Sequence, residues 1–499
     1  MEPFRDYDKY DGVGMAQLVA SGQVHPIELV EAAIERIEAS NDYLNAIVHA
    51  MYHRAREAAA DDALPRGPLR GVPIVLKDLH AAYAGEPLTS SCRFLASYVP
   101  DRDSTVVARL KKAGLVAVAK TNTPEFGIKG VTEPLMRGPT RNPWNLDYTP
   151  GGSSGGSGAA VSAGIVPIGH GGDGGGSIRI PASCCGVFGL KPTRGRVPTG
   201  PYVGESWAGF DSDGFITRSV RDSAAILDAC HGPDLGAPYH PPSIERPFMD
   251  EVGRDPGSLR IALTTESLYG KTTHPDCRAA VEDAGRLLAG LGHRVEEARP
   301  AIDREQLVRA YFIVVAASVA LDIDRAAALM GRPATADQFE PVTWFFSQIG
   351  RTASAVELIS AREAGHVAWR KIAPFFEEYD LLLTPTLPYP PLRIGEGNLK
   401  PAEAAFLRLM RAVPVKALMK KALAELGDAA IEKFADTMLF NMTGQPAMSV
   451  PLYWNAQGLP VGVQLAAGFG AEGTLLRVAA QLEQARPWKD RRPKRPEGW

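Results

Sequence analysis

Between Gly151 and Ser177 the chain carries twelve glycines and five serines in 27 residues. Composition alone would make this stretch a flexible linker, but the order of its residues argues otherwise. Apolar pieces are threaded through it, Ala159-Ala160-Val161 and Ile165-Val166-Pro167-Ile168, and the ordered-looking run Ile178–Thr193 follows directly. A linker has no use for such neighbours. The stretch is expected to be folded main chain in close contact with other elements. Upstream, Lys77 ends the apolar run Val72-Pro73-Ile74-Val75-Leu76. Hydroxyls, a candidate amine base and densely spaced backbone amides are the parts that acyl transfer needs, with no histidine among them.

The rest of the chain is ordinary enough to exclude several classes. With 499 residues it can bury a large core. A formal net charge of −3 leaves no basic footprint, so no nucleic acid is expected as a partner. Five scattered cysteines make no disulfide framework and point to a reducing, cytoplasmic setting. The adjacent Cys184 and Cys185 read as small buried hydrophobes. The longest apolar run in the helical middle, Tyr311–Leu321, falls well short of the ~20 residues that span a bilayer.

Periodicity predicts helices over 14–60, where Leu18, Val19, Ile27, Leu29, Val30, Ala33, Ile34 and Ile37 recur near 3.6 residues, with Pro26 opening the second. Buried strands are expected at Gly71–Leu76, Leu115–Lys120 and Ile165–Ile168, and helices at Ser104–Ala113 and Gly158–Ala163. The pattern turns helical over 305–373 and 402–438. It returns to strands at Ala447–Leu452 and Val461–Ala466, then to a helix over Glu472–Gln484. Such alternation predicts an α/β layered fold around a largely buried sheet.

Two shorter motifs are decoys. Gly152-Ser153-Ser154-Gly155-Gly156 fits the nucleophile elbow G-x-S-x-G, but no downstream histidine carries a distinguishing pattern. Gly169-His170-Gly171-Gly172-Asp173-Gly174 fits G-x-G-x-x-G, yet Pro181 follows where a dinucleotide fold wants a continuing helix, and the acid about 20 residues on is missing. Nothing has metal-ligand spacing, so neither metal nor cofactor is expected.

Taken together, Gly151–Gly158 and Gly172–Ala182 resemble the central motif of the amidase-signature family. Gly71–Asp78, Lys120–Glu125, Gly186–Thr193 and Asn441–Ala447 extend the resemblance over roughly residues 10–480. Thr132-Glu133-Pro134 and Arg141–Leu146 are most similar to bacterial amidases related to 6-aminohexanoate-cyclic-dimer hydrolase. The resemblance implies one domain over 1–499: a central twisted mixed β-sheet sandwiched by helices, core motifs in 70–200, helical insertions near the substrate site in about 300–440, and a return to the core over 441–485. It implies a cofactor-free hydrolase cleaving carboxamide C–N bonds through a serine acyl-enzyme. Ser177 would be the nucleophile, Ser153 a bridging serine on a cis peptide bond, and Lys77 the base. The 24-residue separation of Ser153 from Ser177 fits the family pattern. The amides of Gly174, Gly175 and Gly176 would form the oxyanion hole, and Asp173 and Arg179 a supporting ion pair. Ser154 and Ser157 are read as structural hydroxyls. Where the family commonly has Gly-Thr-Asp-Thr-Gly-Gly-Ser, this chain has Gly171-Gly172-Asp173-Gly174-Gly175-Gly176-Ser177, a difference that bears on the shape of the acyl pocket.

The chemistry suits these residues. A serine hydroxyl needs a base to take its proton, and lysine can serve only when neutral, as burial favours. Each oxyanion donor is worth about 10²–10³ in rate. The expected partner is a small-molecule amide, ester or carbamate: a linear or cyclic amino-acid oligomer, or an aryl amide. No membrane is expected, and a homodimer stays open. Two alternatives remain: a subunit-A-like component of a tRNA-dependent amidotransferase, which the near-neutral charge disfavours, and a membrane-associated lipid amide hydrolase. The latter would use the basic amphipathic stretch 402–426 on a lipid surface; the preferred reading of that stretch is a mobile lid.

Overall fold

In a computed structural model, which describes residues 2–412 and 416–494, eleven strands form a single mixed sheet flanked by helices. They are β1 (Ile47–Ala50), β2 (Pro73–Lys77), β3 (Val116–Thr121), β4 (Ile168–Asp173), β5 (Phe188–Lys191), β6 (Ser212–Thr217), β7 (Arg260–Leu263), β8 (Arg294–Glu297), β9 (Leu381–Pro385), β10 (Ala447–Trp454) and β11 (Pro460–Ala467). Their order across the sheet is β1-β3-β2-β4-β6-β5-β10-β11-β9-β7-β8. β2 runs parallel to both neighbours, β3 and β4. That explains its unbroken apolar run, because a parallel strand covered on both faces has no solvent side. Lys77 is its last residue, in register with Thr121 of β3.

The expected strand at 165–168 lies further on, at β4, within the glycines themselves. Glycine suits this strand because the all-buried helix Gly155–Ser162 rests on it. A Cβ on Gly169 would fall 3.1 Å from Ser157 Cβ and 3.2 Å from Val161 Cγ2. That helix begins three residues earlier than its small-residue run indicates. The helical region 14–60 is broken by β1, which pairs antiparallel with β3. Ser104 caps the helix Thr105–Lys112 by accepting from the Val107 amide.

Among the described residues two large hydrophobic cores form, beside a small cluster of Ile180, Cys184 and Leu387. The larger lies against the sheet, with Ile74, Val118, Ile168 and Val463 among its members. The second is built largely by the long helices Arg304–Met330, Pro341–Thr352 and Ala355–Ile372 with Leu439, Phe440 and Met442, packed on Leu382, Ala447 and Ala466 of the sheet. The stretch 402–426 divides between the helices Pro401–Ala412 and Lys416–Phe434, and Val413, Pro414 and Val415 lie outside the described residues. Of its apolar residues, Leu407 and Met419 are buried in the second core. Among the described residues no helix is long and apolar enough to cross a membrane. All five cysteines are buried and unbridged.

Candidate active site

The C-terminal end of β2 delivers Lys77 into the interior, where it is 1 % exposed. Its Nζ donates to Ser153 Oγ at 2.7 Å and to the Gly172 carbonyl at 3.3 Å. Both partners are neutral oxygens. Burial pushes the ammonium down to about 8, against the pull of Asp211, Asp213 and Asp173. Ser153 follows a cis Gly152–Ser153 peptide bond. Thr132 clamps the turn on either side: its hydroxyl donates to the Gly151 carbonyl at 2.9 Å and accepts from the Gly155 amide at 3.1 Å. Ser177 is brought alongside by its main chain, its carbonyl accepting from the Ser154 amide at 3.2 Å. Its side chain is half-buried. Ser154 and Ser157 hold β4 in place, donating to the carbonyls of Gly172 and His170.

Beneath the turn 174–177 sits a fully buried ion pair. Arg179 Nε and Nη2 donate to the two carboxylate oxygens of Asp173 at 3.0 and 2.8 Å. Burial alone would raise this carboxyl; Arg179 holds it far below the usual range. Arg179 also donates to Gln464 and Asn441 side chains and to the Thr437 carbonyl, which ties the turn to the C-terminal part of the sheet. The Gly176 amide donates to Asp173 Oδ1 at 2.6 Å. Of the three amides expected to form the oxyanion hole, those of Gly174, Gly175 and Gly176, the last is thereby engaged within the turn. The remaining donors of the turn are the amides of Gly174, Gly175 and Ser177.

Three residues that the sequence reading passed over shape this turn. Tyr311 Oη donates to the Gly174 carbonyl at 3.3 Å, and Thr437 Oγ1 to that of Gly175 at 2.5 Å. With both carbonyls turned toward these hydroxyls, the orientation of the intervening peptides is set. Trp207 fills the space beside Gly174, where a Cβ would fall 2.8 Å from Cε3 of the indole. A Cβ on Gly175 would meet Tyr311 Oη, and one on Gly176, at φ +131°, would meet Thr437 Oγ1. The triple glycine is thus required by the aromatic and hydroxyl groups pressed against it. Tyr311 and Trp207 carried no local signal; Asn441, which donates to the Asp173 carbonyl at 2.6 Å, lay within the Asn441–Ala447 motif.

A cavity of about 520 Å³ is connected to the turn through Trp207, which packs on Gly174, and Asp213, which stands opposite Gly172. Its lining includes Leu79, Leu95 and Phe126 with Leu321 and Leu329 of the long helix, but not Lys77, Ser153 or residues 174–177 themselves. Leu79 reaches the chemistry: a Cβ on Gly127 would lie 2.7 Å from Leu79 Cδ2 and 3.1 Å from Ser153 Oγ. The charged side chains of the cavity are mostly paired with one another, Arg362 with Glu205 at 3.2 Å and Arg325 with Asp322 at 3.3 Å. A cavity of this size, mostly apolar with some polar groups, suits a small organic substrate. Among the described residues no group of three or more His, Cys, Asp or Glu could hold a metal ion.

This geometry agrees with a family model described as Amidase, which matches residues 28–476. The chain belongs to the amidase family. It is an amide hydrolase acting on carbon–nitrogen bonds other than peptide bonds. It is similar to the 6-aminohexanoate-cyclic-dimer hydrolase of Paenarthrobacter ureafaciens, 38% identical over 496 residues that cover 97% of this chain and 96% of that one. Among solved structures, a 6-aminohexanoate cyclic dimer hydrolase complexed with substrate superposes with a TM-score of 0.87 at 37% identity, covering 98% of this chain and 99% of the other. A bacterial aryl acylamidase of the amidase-signature family gives a TM-score of 0.84 at 28% identity, with the same coverage. Superposition over nearly the whole of both chains shows that the fold is shared with these proteins.

Proposed function

We propose that this amidase hydrolyses carboxamides through a serine acyl-enzyme in which Lys77, Ser153 and Ser177 act in series. Neutral Lys77 takes the proton of Ser153 as Ser153 takes that of Ser177. The Ser177 oxygen then attacks the carbonyl, and the amides of Gly174, Gly175 and Ser177 receive the developing oxyanion. The proton returns through Ser153 to the leaving amine, and water releases the acyl group. The observation that carries this reading is the 2.7 Å contact between Lys77 Nζ and Ser153 Oγ at a site where burial brings the lysine to about 8. A lysine so placed is a usable base near neutral pH.

For the substrate, the apolar cavity and the similarity to cyclic-dimer hydrolases favour neutral amides with methylene chains, linear or cyclic ω-amino-acid oligomers, with aryl amides as the neighbouring class. A single sheet that draws strands from residues 47 to 467 supports treating the chain as one domain. The test is hydrolysis of a panel of nylon-type oligomers, aryl amides, primary amides, esters and carbamates by the wild type and Ser177→Ala. Turnover of one amide class above the others, abolished in the variant, is the expected result; full turnover by Ser177→Ala sinks the mechanism.

A further inference from the structure

Three carboxylates surround Lys77, and the hydrogen bonds of its ammonium go to none of them. Asp173 is held by Arg179. Asp211 Oδ2 lies 3.1 Å from Nδ1 of His80, and also accepts from Ser206 Oγ at 2.9 Å. Asp213 Oδ1 lies 3.4 Å from Nε2 of the buried His170. Asp213 stands directly opposite Gly172 in the β4–β6 ladder, and the Gly172 carbonyl accepts from Lys77. A Cβ on Gly172 would lie 3.5 Å from Asp213 Oδ1, 3.6 Å from Asp211 Oδ1 and 3.8 Å from His80 Nδ1. The lysine's carbonyl partner therefore sits within reach of both acids and the imidazole.

His80 is placed with care by the chain. It holds φ +63°, a conformation that non-glycine residues rarely adopt and that requires support from its surroundings. Its ring is 30 % exposed on the cavity wall. Asp322, from the long helix across the cavity, also faces it and is itself paired with Arg325.

We propose that His80 is a positioning residue for the reaction: as an imidazolium bound to Asp211, it takes up the carboxylate charge that would otherwise keep Lys77 protonated, and so leaves the lysine free to act as base. The proposal rests on the reading of Lys77 as the base. The balance of forces agrees with it. Burial disfavours a charged His80, yet Asp211 and then Asp213 outweigh burial and raise it to about 9. Lys77, with no carboxylate in contact, is lowered to about 8. The two groups are thus moved toward each other, the histidine up from its ordinary value near 6.5 and the lysine down from near 10.4. An imidazolium held by Asp211 is thereby kept into the range in which the lysine gives up its proton.

The test is the pH profile of kcat/KM on a neutral aryl amide, for wild type, His80→Gln, His80→Asn, His80→Lys and His80→Gln/Asp211→Asn, each checked for folding by circular dichroism. Removing the positive charge in His80→Gln, or in His80→Asn should the first not fold, leaves Asp211 unmatched. The acid limb then moves up by about one pH unit, a roughly tenfold loss at neutral pH with the alkaline plateau kept. His80→Lys restores the charge and the position of the limb, and adding Asp211→Asn to His80→Gln returns the limb toward wild type. A limb that stays in place in the neutral variants overturns the proposal, whether or not the rate falls evenly at every pH. Lys77→Met, run in parallel, separates the two claims. Lost turnover there with an unmoved limb in His80→Gln overturns the counter-charge alone, whereas retained turnover in Lys77→Met overturns the base assignment beneath it.

Discussion

The floor of the site and its outer wall are built on opposite principles. The floor, from Lys77 through Ser153 to the turn 172–177, is polar and largely buried, and its main chain is held by hydrogen bonds from the hydroxyls of Thr132, Tyr311 and Thr437 and by one to the Asp173 carboxylate. The wall contributed by the helix Arg304–Met330 is apolar and partly open, with Leu321 48% and Leu329 54% exposed. The main chain of the floor is held at several points by side chains, so small changes there are expected to alter the chemistry. The wall has slack, and changes there alter which molecule is held. On the proposed reading, the difference assigns reaction type to the floor and substrate choice to the wall.

The comparison is broken most severely at the floor. Lys77→Met and Ser153→Ala are each expected to lower kcat by about 10⁴-fold or more, because members of a proton-relay triad act as a unit. The double variant should be little worse than either single one. Steady-state kinetics with an active-site titration checks both statements; additive losses would mean that the two residues act independently.

Next in size is a loss of folding stability rather than of chemistry. Arg179→Met strands the Asp173 carboxylate in a site where both partners are fully buried, and breaking such a pair costs about 3–5 kcal/mol. Urea denaturation should show the midpoint falling accordingly. An unchanged midpoint would show that the pair is dispensable and that Asn441 and the Gly176 amide suffice to hold the turn.

How much of this contrast the sequence displayed follows from the same physics. Lys77 was legible because a parallel strand buried on both faces reads as an apolar run, and a lysine ending it stands out. The Gly/Ser turn was legible because its order, not its composition, was specific. β4 was displaced in the reading because glycines offer no side-chain alternation to detect. β8, the edge strand Arg294–Glu297, is short and mostly exposed, and left no pattern either. Tyr311 and Thr437 reach the turn from sequence separations of 137 and 262 residues, and no local rule links such positions. The engagement of Gly176 by Asp173 was equally hidden, since spacing shows which amides are near and not where each one points.

A moderate effect is expected from pH. In the proposed mechanism Lys77 must be neutral to act as base, and burial lowers it to about 8. Activity is therefore present above that value and lost as pH falls through it, by about tenfold per unit once the lysine is mostly protonated. On a substrate without titrating groups, kcat/KM should climb through about 8 to a plateau. A flat profile from pH 6 to 9 would remove the lysine from the rate-limiting proton transfer.

The smallest effect sharpens the other side of the comparison. Leu329→Asn places an amide on the cavity wall at a position already 54% exposed, so folding stability should change by less than about 0.5 kcal/mol. It also removes apolar surface from the part of the cavity lined by the long helix. If the wall selects by apolar contact, KM for the amide with the longest methylene chain should rise roughly fivefold, while KM for a short amide and kcat for both stay within about twofold. That pattern would locate chain-length preference in the long helix. A fall in kcat with KM unchanged would instead mean that Leu329 bears on the turn through Trp207 or Leu79, and that floor and wall are one structure after all.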